Sequence, residues 1–209
     1  MVQNQHLAIL AEVLGLEKYM LYAHGSDLCH DTELRHAMAN CFEALMGAIY
    51  LDGGIDEADR VFAFSLFGAE PDLHETWVKF NPHPLQMQEP AGDRHWIQTY
   101  PILQKMADYE KQTGIEFTHI RLLARAMSDR SLSLSNLTMG SNQRMEFLGD
   151  TVLQLVTSDY LYKHFPEHHE GHLSLLRSSI VNNRTQVNFD FTEKTGIYIT
   201  VGQKIKKKV

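Results

Sequence analysis

The stretch Asn142-Gln-Arg-Met-Glu-Phe-Leu-Gly-Asp150, running on into Thr151-Val-Leu-Gln-Leu155, limits what this chain can fold into more than any other. Met145, Leu148, Val152, Leu155 and Val156 form an apolar stripe at helical spacing, which predicts a helix from Gln143 to about Phe165. Asn142 is a suitable cap, because its side chain can accept from a free N–H of the first turn. Glu146 and Asp150 lie four apart, so a helix puts both on one face, with roughly 6 Å between Cβ atoms. Two carboxylates at that spacing repel by a few tenths of a kcal/mol, which a cation or solvent must offset. Gly149 costs about 1 kcal/mol against Ala inside a helix, and is justified where another backbone or a phosphate comes close. Taken singly, either feature also fits a solvated acidic face that tolerates a glycine.

The other strong pattern is Asn40-Cys-Phe-Glu-Ala-Leu-Met-Gly-Ala-Ile-Tyr-Leu-Asp52, inside a helix expected from about Asp31 to Leu51. Leu34, Met38, Cys41, Leu45 and Ile49 make its inner stripe. Asn40, Glu43, Gly47 and Tyr50, at i, i+3, i+7 and i+10, make a different one. Asp52-Gly-Gly54 should end the helix, with Asp56 capping the next one through about Phe67.

Upstream, His6 to Leu14 predicts a short amphipathic helix stopped by Gly15. The piece Leu16 to Tyr22 and the loop His24-Gly-Ser-Asp27 follow. Between Pro71 and Pro101 lie five of the six prolines, with Trp77 and Trp96 among polar residues. That density argues for an extended, irregular connector. Helical patterning resumes near Ile102, stops at Thr113-Gly114, and returns from about His119 to Met127 before the serine-rich loop Ser128 to Ser141. A turn over 166–171 precedes a helix from Leu173 to about Arg184, with Leu173, Leu176 and Ile180 inward. Ile197 to Val201 alternates like a strand, and Lys204 with Lys206 to Lys208 gives a basic end.

The formal net charge is −7, which leaves little Lys and Arg for phosphate contacts. A basic nucleic-acid-gripping surface is therefore expected outside these residues. Cys29 and Cys41 do not suggest a disulfide framework, which fits a reducing intracellular setting. No apolar run approaches the ~18 residues of a membrane span, and the first residues lack a secretory signal.

The string Arg144-Met-Glu-Phe-Leu-Gly-Asp150 resembles the signature of the ribonuclease III family, endonucleases that cut double-stranded RNA. The string from Asn40 to Asp52 resembles the family's second signature, with Asn40 where the family usually has Asp. Within a family domain the second signature lies downstream of the first; here it lies upstream. The wording and order resemble the class II, tandem-domain branch, read from inside its first domain into its second. His36 to Leu45, His83-Pro-Leu-Gln86, Gln88-Glu-Pro90, His168 to Leu173 and Leu175 to Gln186 carry that resemblance.

It implies an all-α ribonuclease III fold in two partial domains. Residues 1–70 would be the back half of the first, 71–101 a linker, 102–186 the front half of the second, and 187–209 a divergent tail. It further implies metal-dependent hydrolysis of RNA phosphodiesters in primary microRNA hairpins. Glu43, Glu146 and Asp150 would be catalytic, and Asn40, Glu43, Glu146 and Asp150 would hold Mg²⁺, with Mn²⁺ as the alternative ion. Asn40 offers only a neutral carbonyl oxygen, so its half-site should bind metal more weakly. Also implied are a nuclear setting, a Pasha-type double-stranded-RNA-binding partner, and intramolecular pairing of the two domains. The fragment alone should be nearly inactive.

Gln143 reads as polar lining. Glu170 is either an outer ligand of the cleft or a helix-entry carboxylate. His164, His168, His169 and His172 lack regular ligand spacing, so zinc is not expected. Two further readings are open. A front and a back half in one chain amount to a circularly permuted domain, which would pack the helices of Asn40 and Glu43 beside those of Glu146 and Asp150. Alternatively, the chain is an inactive helical piece that packs or binds without cutting.

Overall fold

The computed structural model describes residues 3–21, 31–131 and 136–181, and every regular element among them is helical. The 24–27 loop, Cys29, residues 182–186, the alternating stretch 197–201 and the basic end lie outside the described residues. Two compact units divide the chain, residues 1–82 and 83–209.

In the first unit, α1 (Asn4–Val13) places Leu7, Ala8, Leu10 and Ala11 on one face. They bury against Met38, Ala39 and Phe42 of α2 (Asp31–Phe67), and Phe42 is 1% exposed. After α1 the chain turns at Gly15, whose φ of 65° suits a residue without Cβ. A single 3₁₀ turn, Leu16–Lys18, follows. As Asp52-Gly-Gly54 implied, α2 breaks at Gly54 (φ 81°, ψ −174°). The limb beyond the break returns Phe62 and Leu66 to the same core. Asp56, expected as a cap, sits within the first turn of that limb, where a carboxylate still favours the helix dipole.

The proline-rich stretch corrects the expectation of an extended connector. Pro71 opens α3 (Pro71–Val78), Pro84 opens α4 (Pro84–Gln88) and Pro101 opens α5 (Pro101–Thr113). Proline is tolerated at a first helical position, where its missing N–H has no intrahelical partner anyway. Three of the five prolines there mark helix starts, and the helices that begin and end inside the stretch are short. Trp77 of α3 packs against Phe62, Phe67 and Phe80 at centroid distances of 5.6 to 6.4 Å. Its Nε1 donates to Asp59 Oδ1 at 3.1 Å.

In the second unit a 3₁₀ turn (Arg94–Gln98) and α5 pack with α6 (Ile120–Ala126) around Leu103, Ile120 and Ala124. Trp96, Tyr100, Met106 and Leu137 border this core. Gly92, at φ 106°, is held here because a Cβ would fall 2.7 Å from the Thr118 carbonyl oxygen. Its neighbour Asp93 is fully buried, and its Oδ1 accepts from the Arg121 amide at 3.4 Å.

Glu110 is buried on α5 and accepts from Arg94 Nη1 (2.9 Å) and the Phe117 amide (2.7 Å). Burial pushes its carboxyl up. Arg94 and the Phe117 amide outweigh that and hold it below the usual carboxylate range.

The signature helix α7 (Gln143–His164) packs with α8 (Glu170–Val181), and Arg177 Nη1 donates to Ser158 Oγ at 3.1 Å. Only Leu161 of α7 is buried. Leu148, Val152, Leu155 and Val156 of the expected stripe are exposed, as are Phe147 (80%) and Leu153. Gln143, Glu146, Asp150 and Gln154 share one narrow edge, and apolar side chains take most of the remaining circumference. Such a helix belongs inside a fold. Among the described residues its first two-thirds is largely uncovered.

A paired substitution measures this. Phe42→Ala should cost about 3–5 kcal/mol of stability, whereas Phe147→Ala should stay within about 0.5 kcal/mol. Urea unfolding of the two variants checks it, and a large loss for Phe147→Ala would show that α7 is covered in solution.

Candidate metal-binding site

The start of α7 is fixed from outside. The Asn142 amide donates to Ser128 O at 2.9 Å, and Asn142 O accepts from the Glu146 amide at 2.8 Å. The Asn142 side chain makes no cap hydrogen bond, contrary to the sequence reading, and its backbone is already helical (φ −74°, ψ −11°). Two buried arginines of α6 take over the anchoring. Arg121 Nε donates to Leu137 O at 2.7 Å, and its Nη2 to Asn136 O at 3.3 Å. Arg125 Nε donates to Ser141 O at 3.2 Å.

These residues escaped the sequence reading, although a signal existed. Ile120-Arg-Leu-Leu-Ala-Arg puts two arginines four apart on an otherwise apolar helix, and a charged side chain there must find partners.

Glu146 and Asp150 are both exposed, one turn apart on α7. Gln154 Nε2 donates to Asp150 Oδ2 at 2.8 Å, so one oxygen of that carboxylate is engaged. Gln143 Oε1 accepts from Ser141 Oγ at 3.3 Å. A Cβ at Gly149 would meet nothing within 4 Å, and the same holds for Gly47 on α2. The close approach that would justify either glycine is not made among the described residues.

On α2, Asn40 and Glu43 are exposed three residues apart. Asn40 borders a recess of about 360 Å³ with Thr32, Glu33, His36 and Ala37. The four residues named from the sequence therefore stand as two pairs, one in each unit.

Among the described residues no three His, Cys, Asp or Glu side chains gather as a metal-binding group. Glu170 lies in the first turn of α8, where its Oε1 accepts from Ser174 Oγ at 3.2 Å. His169 stacks on His172 at 4.0 Å, and His168 meets His172 edge-on at 5.7 Å. These three histidines contact one another's rings, and His164 stacks on Tyr160 at 4.0 Å.

As donor sets, the pairs suit a hard divalent cation. Glu146 and Asp150 offer carboxylate oxygens and leave room for the waters that Mg²⁺ retains. Asn40 and Glu43 offer one carbonyl oxygen and one carboxylate, a weaker pair.

Residues 143–207 match the Ribonuclease III domain, and residues 1–69 match the Ribonuclease-III-like family. The whole chain is 56% identical over 210 residues to Ribonuclease 3 of Homo sapiens and of Mus musculus, covering 15% of each. It is 47% identical over 197 residues to Ribonuclease 3 of Caenorhabditis elegans, covering 92% of this chain and 18% of that one. The chain belongs to the ribonuclease III family. Within it, the particular likeness is to Ribonuclease 3 (Drosha) of human and mouse, of whose length the chain spans about 15%. No helix among the described residues is long and apolar enough to cross a membrane.

Proposed function

We propose that this chain is the middle section of a tandem-domain endoribonuclease that hydrolyses phosphodiesters in double-stranded RNA, with primary microRNA hairpins as substrate. The observation that carries this reading is the exposed Glu146–Asp150 pair, one turn apart on α7 within the segment that matches the Ribonuclease III domain. Glu146 and Asp150 would hold the metal of the second domain, and Asn40 and Glu43 that of the first. Bound divalent cations would supply an activated water and charge neutralisation at the scissile phosphate. Gln154 fixes the Asp150 carboxylate by engaging Oδ2. Arg121 and Arg125, by gripping the loop ahead of α7, set where Glu146 points. A nuclear setting, a Pasha-type double-stranded-RNA-binding partner and intramolecular domain pairing belong to the same proposal.

Chelation tests it. The complete protein should lose cleavage of an end-labelled hairpin in EDTA and regain it with Mg²⁺ or Mn²⁺, and cutting that ignores the chelator would overturn the reading. A second reading, an inactive helical piece that packs or binds without cutting, draws on one observation: the bare apolar circumference of α7.

A further inference from the structure

His83-Pro-Leu-Gln86 opens the second unit, and the functional reading leaves it without a role. The four residues lock on themselves. Gln86 Oε1 accepts from the His83 amide at 3.1 Å, Pro84 starts α4, and Leu85 is fully buried. That fixes the direction of the imidazole. Its Nδ1 lies 3.1 Å from the Leu85 amide nitrogen, and its Nε2 lies 2.7 Å from Arg125 Nη1.

Both neighbours can only donate. A neutral imidazole has one acceptor nitrogen, so it satisfies one of them. The guanidinium contact is the shorter and is charge-assisted. An imidazolium has no acceptor left, and it would place a second positive charge against Arg125.

We propose that His83 is a positioning residue for α7, acting through Arg125, and that protonation of its imidazole loosens the start of that helix. Arg125 is 7% exposed, and the nitrogen next along its guanidinium holds Ser141 O. Asn142 follows directly, bonded to Ser128 through its amide and to Glu146 through its carbonyl. The path from His83 to the carboxylate-bearing turn thus has three links: His83 to Arg125, Arg125 to Ser141, and Asn142 to Glu146.

The charged groups acting on the ring are Arg125 from α6 and Arg144 from α7; Gln86, on its own helix, is neutral. Burial first, then the charges of Arg125 and Arg144, hold His83 below the ordinary histidine range. A histidine lowered in the folded state adds stability that is fully present above its unfolded value, about 6.5. That contribution is lost as pH falls through that value and then through the lowered folded one.

Amide hydrogen exchange by NMR on the 209-residue chain tests the device, using protection corrected for intrinsic rates at pH 7.5 and 5.0. Protection at Asn142 and Glu146 should fall about tenfold on acidification, the scale of one lost charged hydrogen bond. The Met106 amide in α5 should stay within about twofold, since local openings differ across a structure.

His83→Asn keeps a side-chain acceptor for the α4 turn but neither titrates nor reaches Arg125. It should give low protection at both pH values, and Arg125→Lys should do the same, so the proposal survives misfolding of either variant. A flat wild-type profile, or an undiminished pH response in the variants, overturns it. The proposal rests on the functional reading only for the importance of α7. If that reading fails, chelation leaves cleavage intact while the exchange profile still depends on pH.

Discussion

Glu146→Gln in the complete protein should abolish cutting of one strand of a duplex hairpin and leave the cut in the other strand intact. The substitution keeps the shape of the side chain and removes one charge from the Glu146–Asp150 pair. The loss of a metal-binding carboxylate at a phosphoryl-transfer site is expected to cost several kcal/mol of transition-state stabilisation, a factor of about a thousand or more. The other strand is spared because Asn40 and Glu43 lie in a different unit from Glu146, so the reading assigns each pair to its own cut. End-labelling both strands of one hairpin and mapping both cleavage positions decides the matter. Equal loss on both strands would sink the assignment of separate sites, and unchanged cleavage would remove Glu146 from the chemistry.

The sequence made some elements legible and concealed others for identifiable reasons. The span of α7 is Gln143–His164 against an expected end near Phe165, because a long apolar period and Pro166 bracket it. The break of α2 at Gly54 follows from two adjacent glycines, one of which adopts a positive φ. α5 ends where Thr113-Gly114 says it should, with Gly114 left-handed. Between 71 and 101 the expectation of an extended backbone failed, since proline counts do not say which position of a helix each proline occupies. Pro71, Pro84 and Pro101 all take the first one.

At the site, spacing alone put Glu146 with Asp150 and Asn40 with Glu43, since helix geometry guarantees both pairs. What orients α7 was not legible. It depends on Arg121 and Arg125 reaching backbone carbonyls 15 to 16 residues downstream; two arginines on an apolar helix signal that partners exist, but not which carbonyls they are. The apolar stripe of α7 was read correctly as a pattern, but whether a stripe is covered depends on what packs against it. The sequence period carries no information about that.

The second large effect concerns the chain by itself: residues 1–209 alone should cut duplex RNA at a rate near background in ordinary Mg²⁺. Each unit carries two of the four proposed metal-binding positions, and among the described residues no group of three potential ligands forms. Two oxygen side chains hold Mg²⁺ weakly, because most of its shell remains water. The chain's net charge of −7 also opposes the approach of a phosphate backbone. Among the described residues, Phe147, Leu148, Val152, Leu153 and Val156 are exposed, so beyond its anchored first turn the helix carrying Glu146 gains little rigidity from packing, and loosely held groups lose rate steeply. A labelled 30-base-pair duplex, incubated with the chain at nanomolar and micromolar concentration with and without Mg²⁺, gives the measurement. Specific cleavage at nanomolar chain would contradict the expectation. It would instead be the result demanded by a circularly permuted domain, in which Asn40 and Glu43 join Glu146 and Asp150 in one cleft, and Glu43→Gln and Glu146→Gln would then each abolish the same cut.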